Sequence, residues 1–138
     1  MFCRTDAPIT HPKQLLGKRV GAQQYCLAVN LWIRGILKEQ YGVAPEDLQW
    51  VTTKEEGAGF NIPSELSVET LLGWDPEELL LEGEIDVLLS PTVPKRFRQG
   101  NPNIRRLFPD CHAEIDDYFR CTGIFPITHT VVMSEALW

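Results

Sequence analysis

Long apolar runs are missing from this sequence. No window approaches the length of a transmembrane span or of a signal-peptide core, so the expectation is a soluble, cytoplasmic chain with no membrane partner. Basic residues are in the minority. Thirteen Lys and Arg face nineteen Asp and Glu, and the formal net charge is -6. Phosphate backbones call for a basic face, so a nucleic-acid partner is not expected. The small clusters Lys95, Arg96, Arg98 and Arg105, Arg106 suit a small anion or plain solvated surface. Cysteine is sparse. Cys3, Cys26, Cys111 and Cys121 have no CxxC spacing, which argues against a disulfide framework or a zinc site and for buried free thiols. His11, His112 and His129 form no HExxH or similar pattern, and no metal or other cofactor is expected.

What is present is ordinary globular material. The 138 residues, 43% hydrophobic and 23% charged, are enough for one packed domain. The stretch 18–22 reads as a short strand after Gly17, and 48–52 alternates apolar and polar as a strand does. The run 85–89 is a short apolar segment typical of a strand buried on both faces. Further strands are expected near 104–107 and 128–133.

Helices are marked by their ends. A helix over about 26–41 is closed by Gly42, with Lys38 at the negative end of its dipole. Its polar stripe is Asn30, Arg34 and Lys38. Ala28, Leu31, Trp32, Gly35 and Ile36 lie mostly opposite and are expected to be buried. Asp75-Pro76-Glu77-Glu78 has the capping aspartate, proline and first-turn acids of a helix start, and Gly83 stops that helix. A short helix fits 95–99. Asp110 caps another helix, with Gly123 as its stop. Residues 53–74 read as a loop, and 134–138 as the start of a helix.

Alternating strands and helices imply an α/β fold with a largely parallel mixed sheet, built as a three-layer sandwich. Ligands of such sheets sit beyond the carboxyl ends of the strands. That rule points to Gln23-Gln24-Tyr25, Thr52-Thr53-Lys54 and Ser90-Pro91-Thr92.

Several stretches carry a family likeness. They include Leu16-Gly17-Lys18-Arg19-Val20-Gly21, Trp32-Ile33-Arg34-Gly35-Ile36-Leu37, Tyr41-Gly42-Val43, Trp50-Val51-Thr52, Gly83-Glu84-Ile85-Asp86, Phe97-Arg98 and Arg106-Leu107-Phe108-Pro109-Asp110. The most specific is Tyr118-Phe119-Arg120-Cys121-Thr122-Gly123-Ile124-Phe125-Pro126-Ile127-Thr128-His129. In this order they resemble the middle portion of the 4,5-dihydroxyphthalate decarboxylase family. Cys121 departs from a position where a second basic residue is common, and Thr128 from one where methionine is common.

The resemblance implies a single lobe of a periplasmic-binding-protein-like (type II) fold, spanning 1–138. Ligand would lie in a cleft of which this chain supplies one wall. It also implies decarboxylation of a dihydroxylated aromatic dicarboxylate, with the lone lobe inactive or nearly so. His129, the one histidine in a family-like motif, is then the acid/base candidate; the competing reading is a histidine hydrogen-bonded at a strand start. Gln24, Tyr25 and Cys26 precede a helix whose free N–H groups favour an anion, although Tyr25 equally fits a core position. Ser90 and Thr92 offer hydrogen bonds from a strand end, and Arg98 a clamp for a carboxylate.

Two other readings stand beside the enzymatic one. The same fold serves non-catalytic solute binding, as in transporter-associated binding proteins. A lone lobe also leaves apolar surface for a complementary lobe or a homodimer. The expected partner in the first two readings is a small anionic aromatic ligand.

Overall fold

The computed structural model describes residues 1–137. Six strands form one sheet: β1 (Phe2–Arg4), β2 (Arg19–Ala22), β3 (Gln49–Thr52), β4 (Ser67–Thr70), β5 (Val87–Leu88) and β6 (Ile104–Arg106), in the order β4-β3-β2-β5-β1-β6. The β2–β3, β3–β4 and β2–β5 ladders are parallel. β1 is antiparallel to both of its neighbours, with Phe2 opposite Leu88 on one side and Arg106 on the other. The α/β expectation is met, with a mixed sheet.

The strand pleat sorts the core into two layers. Cys3, Val20, Ala22, Trp50, Val87 and Leu89 belong to one apolar cluster, which also takes Leu37 of α1 (Ala28–Tyr41). Phe2, Val51 and Leu88 belong to the other, with Leu79 and Leu80 of α2 (Pro76–Glu82) and Phe97 of α3 (Lys95–Arg98). Helices therefore cover both faces of the sheet.

The helix ends follow the chemistry of their residues. Asp75 caps α2 by accepting from the Glu77 N–H, with Pro76 in the first turn. Gly42 and Gly83 adopt left-handed φ of 67° and 84°, where a side chain would be strained. Asp110 caps α4 (Cys111–Thr122) through the His112 and Ala113 N–H groups.

Four expectations need correction or completion. The segment 128–133 is not a strand. Residues 124–134 are irregular, and Ile124, Phe125, Ile127, Val131 and Val132 are exposed. Alternation supplies a side-chain pattern, but a strand also needs a neighbour for its backbone groups, and this segment pairs with no strand of the sheet. Its tie to α1 is the Trp32 Nε1–H donating to the Ile127 carbonyl at 3.0 Å. Second, α4, marked in the sequence only by its ends, is exposed over most of its length, with Tyr118 as its buried residue. It meets α1 across an apolar cleft of about 250 Å³ lined by Ile33, Leu37, Phe108, Ile115 and Tyr118.

Third, α1 turns Asn30 and Arg34 of its polar stripe inward, while Lys38 stays exposed. Asn30, Arg34 and Leu37 are its buried residues, whereas Leu31 is 62% exposed. Fourth, β1 and β4 were not anticipated; β4 lies inside the stretch read as loop. Of the cysteines, all free, Cys3 is fully buried, Cys26 and Cys111 are half-buried and Cys121 is exposed. The short helical turn Glu135–Leu137 matches the expected helix start; Trp138 lies outside the described residues.

Gly21 lets β2 and the segment before β5 approach closely. A Cβ at this position would collide with the fully buried Ile85 side chain. Gly21→Ala should lower unfolding stability by about 1–3 kcal/mol through overpacking. Ile85→Val in the same background should recover part of that loss. Denaturant unfolding checks both; an unchanged midpoint for Gly21→Ala refutes the packing argument.

Candidate carboxylate site at the strand ends

The parallel strands β2, β3 and β5 leave the sheet side by side, so the segments that follow them share one edge. The Thr53 N–H donates to the Ala22 and Gln23 carbonyls, and the Lys54 N–H to the Gln23 carbonyl at 2.9 Å. Gln24 Nε2 donates to the Glu55 carbonyl at 2.6 Å. The exits of β2 and β3 are thereby stitched into one surface.

The turn at Tyr25 and Cys26 is the chemically distinctive part of that surface. The helix expected from Cys26 begins at Ala28, so the Tyr25 and Cys26 N–H groups belong to a preceding turn. They are already engaged by the two carboxylate oxygens of Glu56, at 2.6 and 2.8 Å. The anion expected here is present as a side chain of the same protein.

The turn's carbonyls explain the inverted face of α1. Buried carbonyls require donors. Asn30 Nδ2 donates to the Gln24 carbonyl at 2.7 Å, and Arg34 Nη1 to the Tyr25 carbonyl at 2.6 Å. Asn30 is fully buried, and its Oδ1 has no hydrogen-bond partner among the described residues.

Arg34 is 8% exposed and forms no ion pair within 4 Å among the described residues. Its guanidinium lies 3.8 Å from the centroid of the Tyr25 ring. A desolvated cation–π contact contributes about 2 kcal/mol. The charged hydrogen bond to the carbonyl adds roughly 1.5–3 kcal/mol. Against these stands a desolvation cost of several kcal/mol for a buried ion. Burial pushes the Arg34 guanidinium down from its ordinary value, while Tyr25, Glu56 and Cys26 act in the opposite direction. Glu56 thus bears on Arg34 without touching it as an ion pair.

Tyr25 occupies the core, as its alternative reading had it. It is 5% exposed and stands edge-on to Trp50, with ring centroids 5.1 Å apart. Ser90, Thr92 and Arg98 come together with Gln23 and Lys95 around a neighbouring hollow of about 200 Å³. Five of the six expected binding residues therefore fall into two adjoining groups: Tyr25 and Cys26 on the turn, and Ser90, Thr92 and Arg98 around the hollow. Gln24 braces the junction with the β3 exit.

His129 is not among them. It lies exposed in the irregular segment, with its Nδ1 3.1 Å from the Thr128 hydroxyl oxygen. Arg34, Asn30 and Glu56 were not anticipated as site residues. The signal available was the Asn30–Arg34 spacing, which puts both on one face of α1. Among the described residues no cluster of three or more His, Cys, Asp or Glu is arranged to hold a metal, and no helix is long and apolar enough to cross a membrane.

Fold and edge together define an α/β protein with a carboxylate-holding turn at the carboxyl ends of parallel strands. No family model matches the chain. It is similar to a 4,5-dihydroxyphthalate decarboxylase of Comamonas testosteroni, with 34% identity over 144 residues, covering 99% of this chain and 44% of that protein. It is also similar to a 4,5-dihydroxyphthalate decarboxylase of Pseudomonas putida, with 31% identity over 132 residues, covering 87% of this chain and 49% of that protein. The resemblance to the 4,5-dihydroxyphthalate decarboxylase family is thereby established over most of the chain. The chain spans about half the length of these curated relatives.

Two tyrosines give a pH signature. Burial raises the Tyr25 phenol above its ordinary value. Burial, and then the hydrogen bond to Glu114, raise Tyr41 well above its own. A raised phenol favours the folded state while neutral. That contribution is complete below the ordinary phenol range near 10 and is lost as pH rises through the raised folded values. Absorbance titration should show both phenols ionising above the ordinary range, with unfolding stability falling in the same interval. Ionisation of Tyr25 and Tyr41 at the ordinary value would contradict this assignment.

Proposed function

We propose that this chain is a substrate-binding lobe of a decarboxylase-like protein of the type II periplasmic-binding-protein architecture. Its ligand is a small aromatic carboxylate held at the 23–26 and 90–98 edge. The observation that carries the reading is the seating of a carboxylate on the Tyr25 and Cys26 N–H groups beside the buried Arg34. Two parallel N–H donors match the two oxygens of a carboxylate. Arg98 and the hydroxyls of Ser90 and Thr92 line the hollow where the remainder of an aromatic diacid would lie.

In the enzymatic form of this reading, one carboxylate leaves the ring as carbon dioxide. The electron pair of the broken bond stays on the ring carbon, and a ring hydroxyl assists by electron push. That carbon then takes a proton, for which His129 is the candidate donor by its place in the family-like run 118–129. One wall cannot desolvate or fix the substrate, so the chain alone is a weak binder with little turnover. Its affinity for an aromatic dicarboxylate is about millimolar, near -4 kcal/mol.

The exposed apolar side chains of 124–133 favour a second property, burial against a complementary lobe or another copy of the chain. A strictly monomeric protein at high micromolar concentration, by light scattering, would rule out the second copy.

The test of the binding reading is an NMR titration with phthalate, an aromatic dicarboxylate without the ring hydroxyls. Saturable shifts at Tyr25, Cys26, Ser90 and Thr92 are expected. Shifts confined to surface arginines such as Arg120 would indicate nonspecific anion pairing and defeat it. With 4,5-dihydroxyphthalate the same preparation should release little carbon dioxide, and robust release would overturn the one-wall argument.

A further inference from the structure

The carboxylate seat is both complete and filled. The Tyr25 and Cys26 N–H groups hold Glu56 at 2.6 and 2.8 Å. Arg34, 8% exposed, brings a positive charge to the same turn with no ion-pair partner within 4 Å among the described residues. Asn30, fully buried, leaves its Oδ1 unpartnered on the turn's inner side, where its Nδ2 reaches the Gln24 carbonyl. Arg34 satisfies the Tyr25 carbonyl of the turn, a task that a neutral donor such as Asn30 performs for Gln24; a full positive charge there adds an attraction for an anion on the Tyr25 and Cys26 N–H groups. Burying a guanidinium without an ion-pair partner is unfavourable, and the seated Glu56 offsets that cost only from outside ion-pair distance.

The segment that carries Glu56 is anchored before it, by the Lys54 N–H on the Gln23 carbonyl and Gln24 on the Glu55 carbonyl, and is exposed after it. Residues 54, 55 and 57–61 are exposed, and the chain there contains Gly57 and Gly59, the latter at φ 80°. The backbone tie that follows Glu56 nearest in sequence is local, from the Phe60 N–H to the Gly57 carbonyl. Glu56 itself is half-buried and is held to the turn by its carboxylate.

We propose that Glu56 is a tethered stand-in for the ligand's carboxylate: a free aromatic carboxylate takes its place on the Tyr25 and Cys26 N–H groups, and Glu56 moves aside with residues 57–61 while Lys54 and Glu55 keep their ties to Gln23 and Gln24. The inference rests on the binding reading above and adds a resident competitor to it. The tethered carboxylate lowers apparent affinity by the fraction of time it leaves the seat free. It also keeps Arg34 near a negative charge when no ligand is bound. Ligand specificity follows: a ligand without a carboxylate cannot exchange with Glu56 at equal charge, so neutral aromatics are excluded.

Glu56→Gln removes the charge and one acceptor oxygen while keeping the shape. Phthalate should then bind at least about tenfold more tightly than to the wild-type chain, with the largest shifts at the Tyr25 and Cys26 amides. The variant should lose thermal stability without ligand and recover it with phthalate, whereas benzamide, neutral and of similar size, should restore nothing. Adding Arg34→Met should abolish the tightening. In the wild-type chain the amides of 56–60 should shift in step with phthalate occupancy, a readout that stands even if Glu56→Gln does not fold.

Equal phthalate affinity in the two proteins, with shifts at Ser90 and Thr92 and stationary amides at 56–60, would overturn the stand-in while leaving the binding reading intact. Failure of phthalate to bind either protein would overturn both.

Discussion

The arrangement at the strand ends depends on one buried cation. Arg34 sits over the Tyr25 ring and donates to the Tyr25 carbonyl, buried enough that desolvation lowers its affinity for its proton. Its position requires α1 to turn its Asn30 and Arg34 face inward, requires the turn at 24–26 to offer its carbonyls to that face, and makes a nearby negative charge valuable. Tyr25 is fixed from below by Trp50, whose indole N–H is itself held by the Pro45 carbonyl. The core under the site and the site itself are thus one packed unit, and a change in α1 would be felt at the strand ends.

Carboxylates of the chain recur as partners for backbone donors in turns and at a helix start. Glu56 serves the Tyr25–Cys26 turn, and Glu77 serves the Lys95 and Arg96 N–H groups at the start of α3 at 2.7 and 2.8 Å. The two differ in what surrounds them. Glu77 belongs to α2, beside Asp75 and Glu78, which both pair with the half-buried Arg96, so its place is braced from several sides. Glu56 rises from an exposed glycine-bearing segment toward a deeply buried arginine. The same hydrogen-bond geometry thus reads as framework in one place and as an exchangeable contact in the other.

Much of the fold was legible because its punctuation is local chemistry. Asp75-Pro76, Asp110, Gly42, Gly83 and Gly123 each act within a turn of their own position, and each does in the structure what its residue type implies. The strands β2, β3 and β5 were legible from their patterns for the same reason. The face of α1 was not. A 3.6-residue period defines stripes, but which stripe is buried depends on what the helix covers. Here it covers carbonyls as well as apolar side chains. The segment 128–133 has the pattern of a strand and lacks the neighbour, while β1 is three residues long and β4 is mostly polar and exposed, with no apolar alternation to mark it. At the site, Ser90, Thr92 and Tyr25 were named by the rule for parallel sheets and Cys26 by the expected helix start, whereas Glu56 lies in a stretch with no periodicity and meets the turn only in three dimensions.

The antiparallel strand at residues 2–4 has a consequence for how the chain acquires its shape. It lies between β5 and β6, so residues from the start of the chain wait for Val87–Leu88 on one side and Ile104–Arg106 on the other. The parallel part, β2 with β3 and β4, closes over much shorter separations. Loop closure over long separations is entropically unfavourable and slows folding. During synthesis the β2–β3–β4 portion can therefore assemble while the first strand is still unpaired. The two halves of the sheet join last, along β5, whose exit at Ser90 forms part of the proposed site. The hollow around Ser90 and Arg98 is then among the final features to take shape, and the Tyr25 turn among the first.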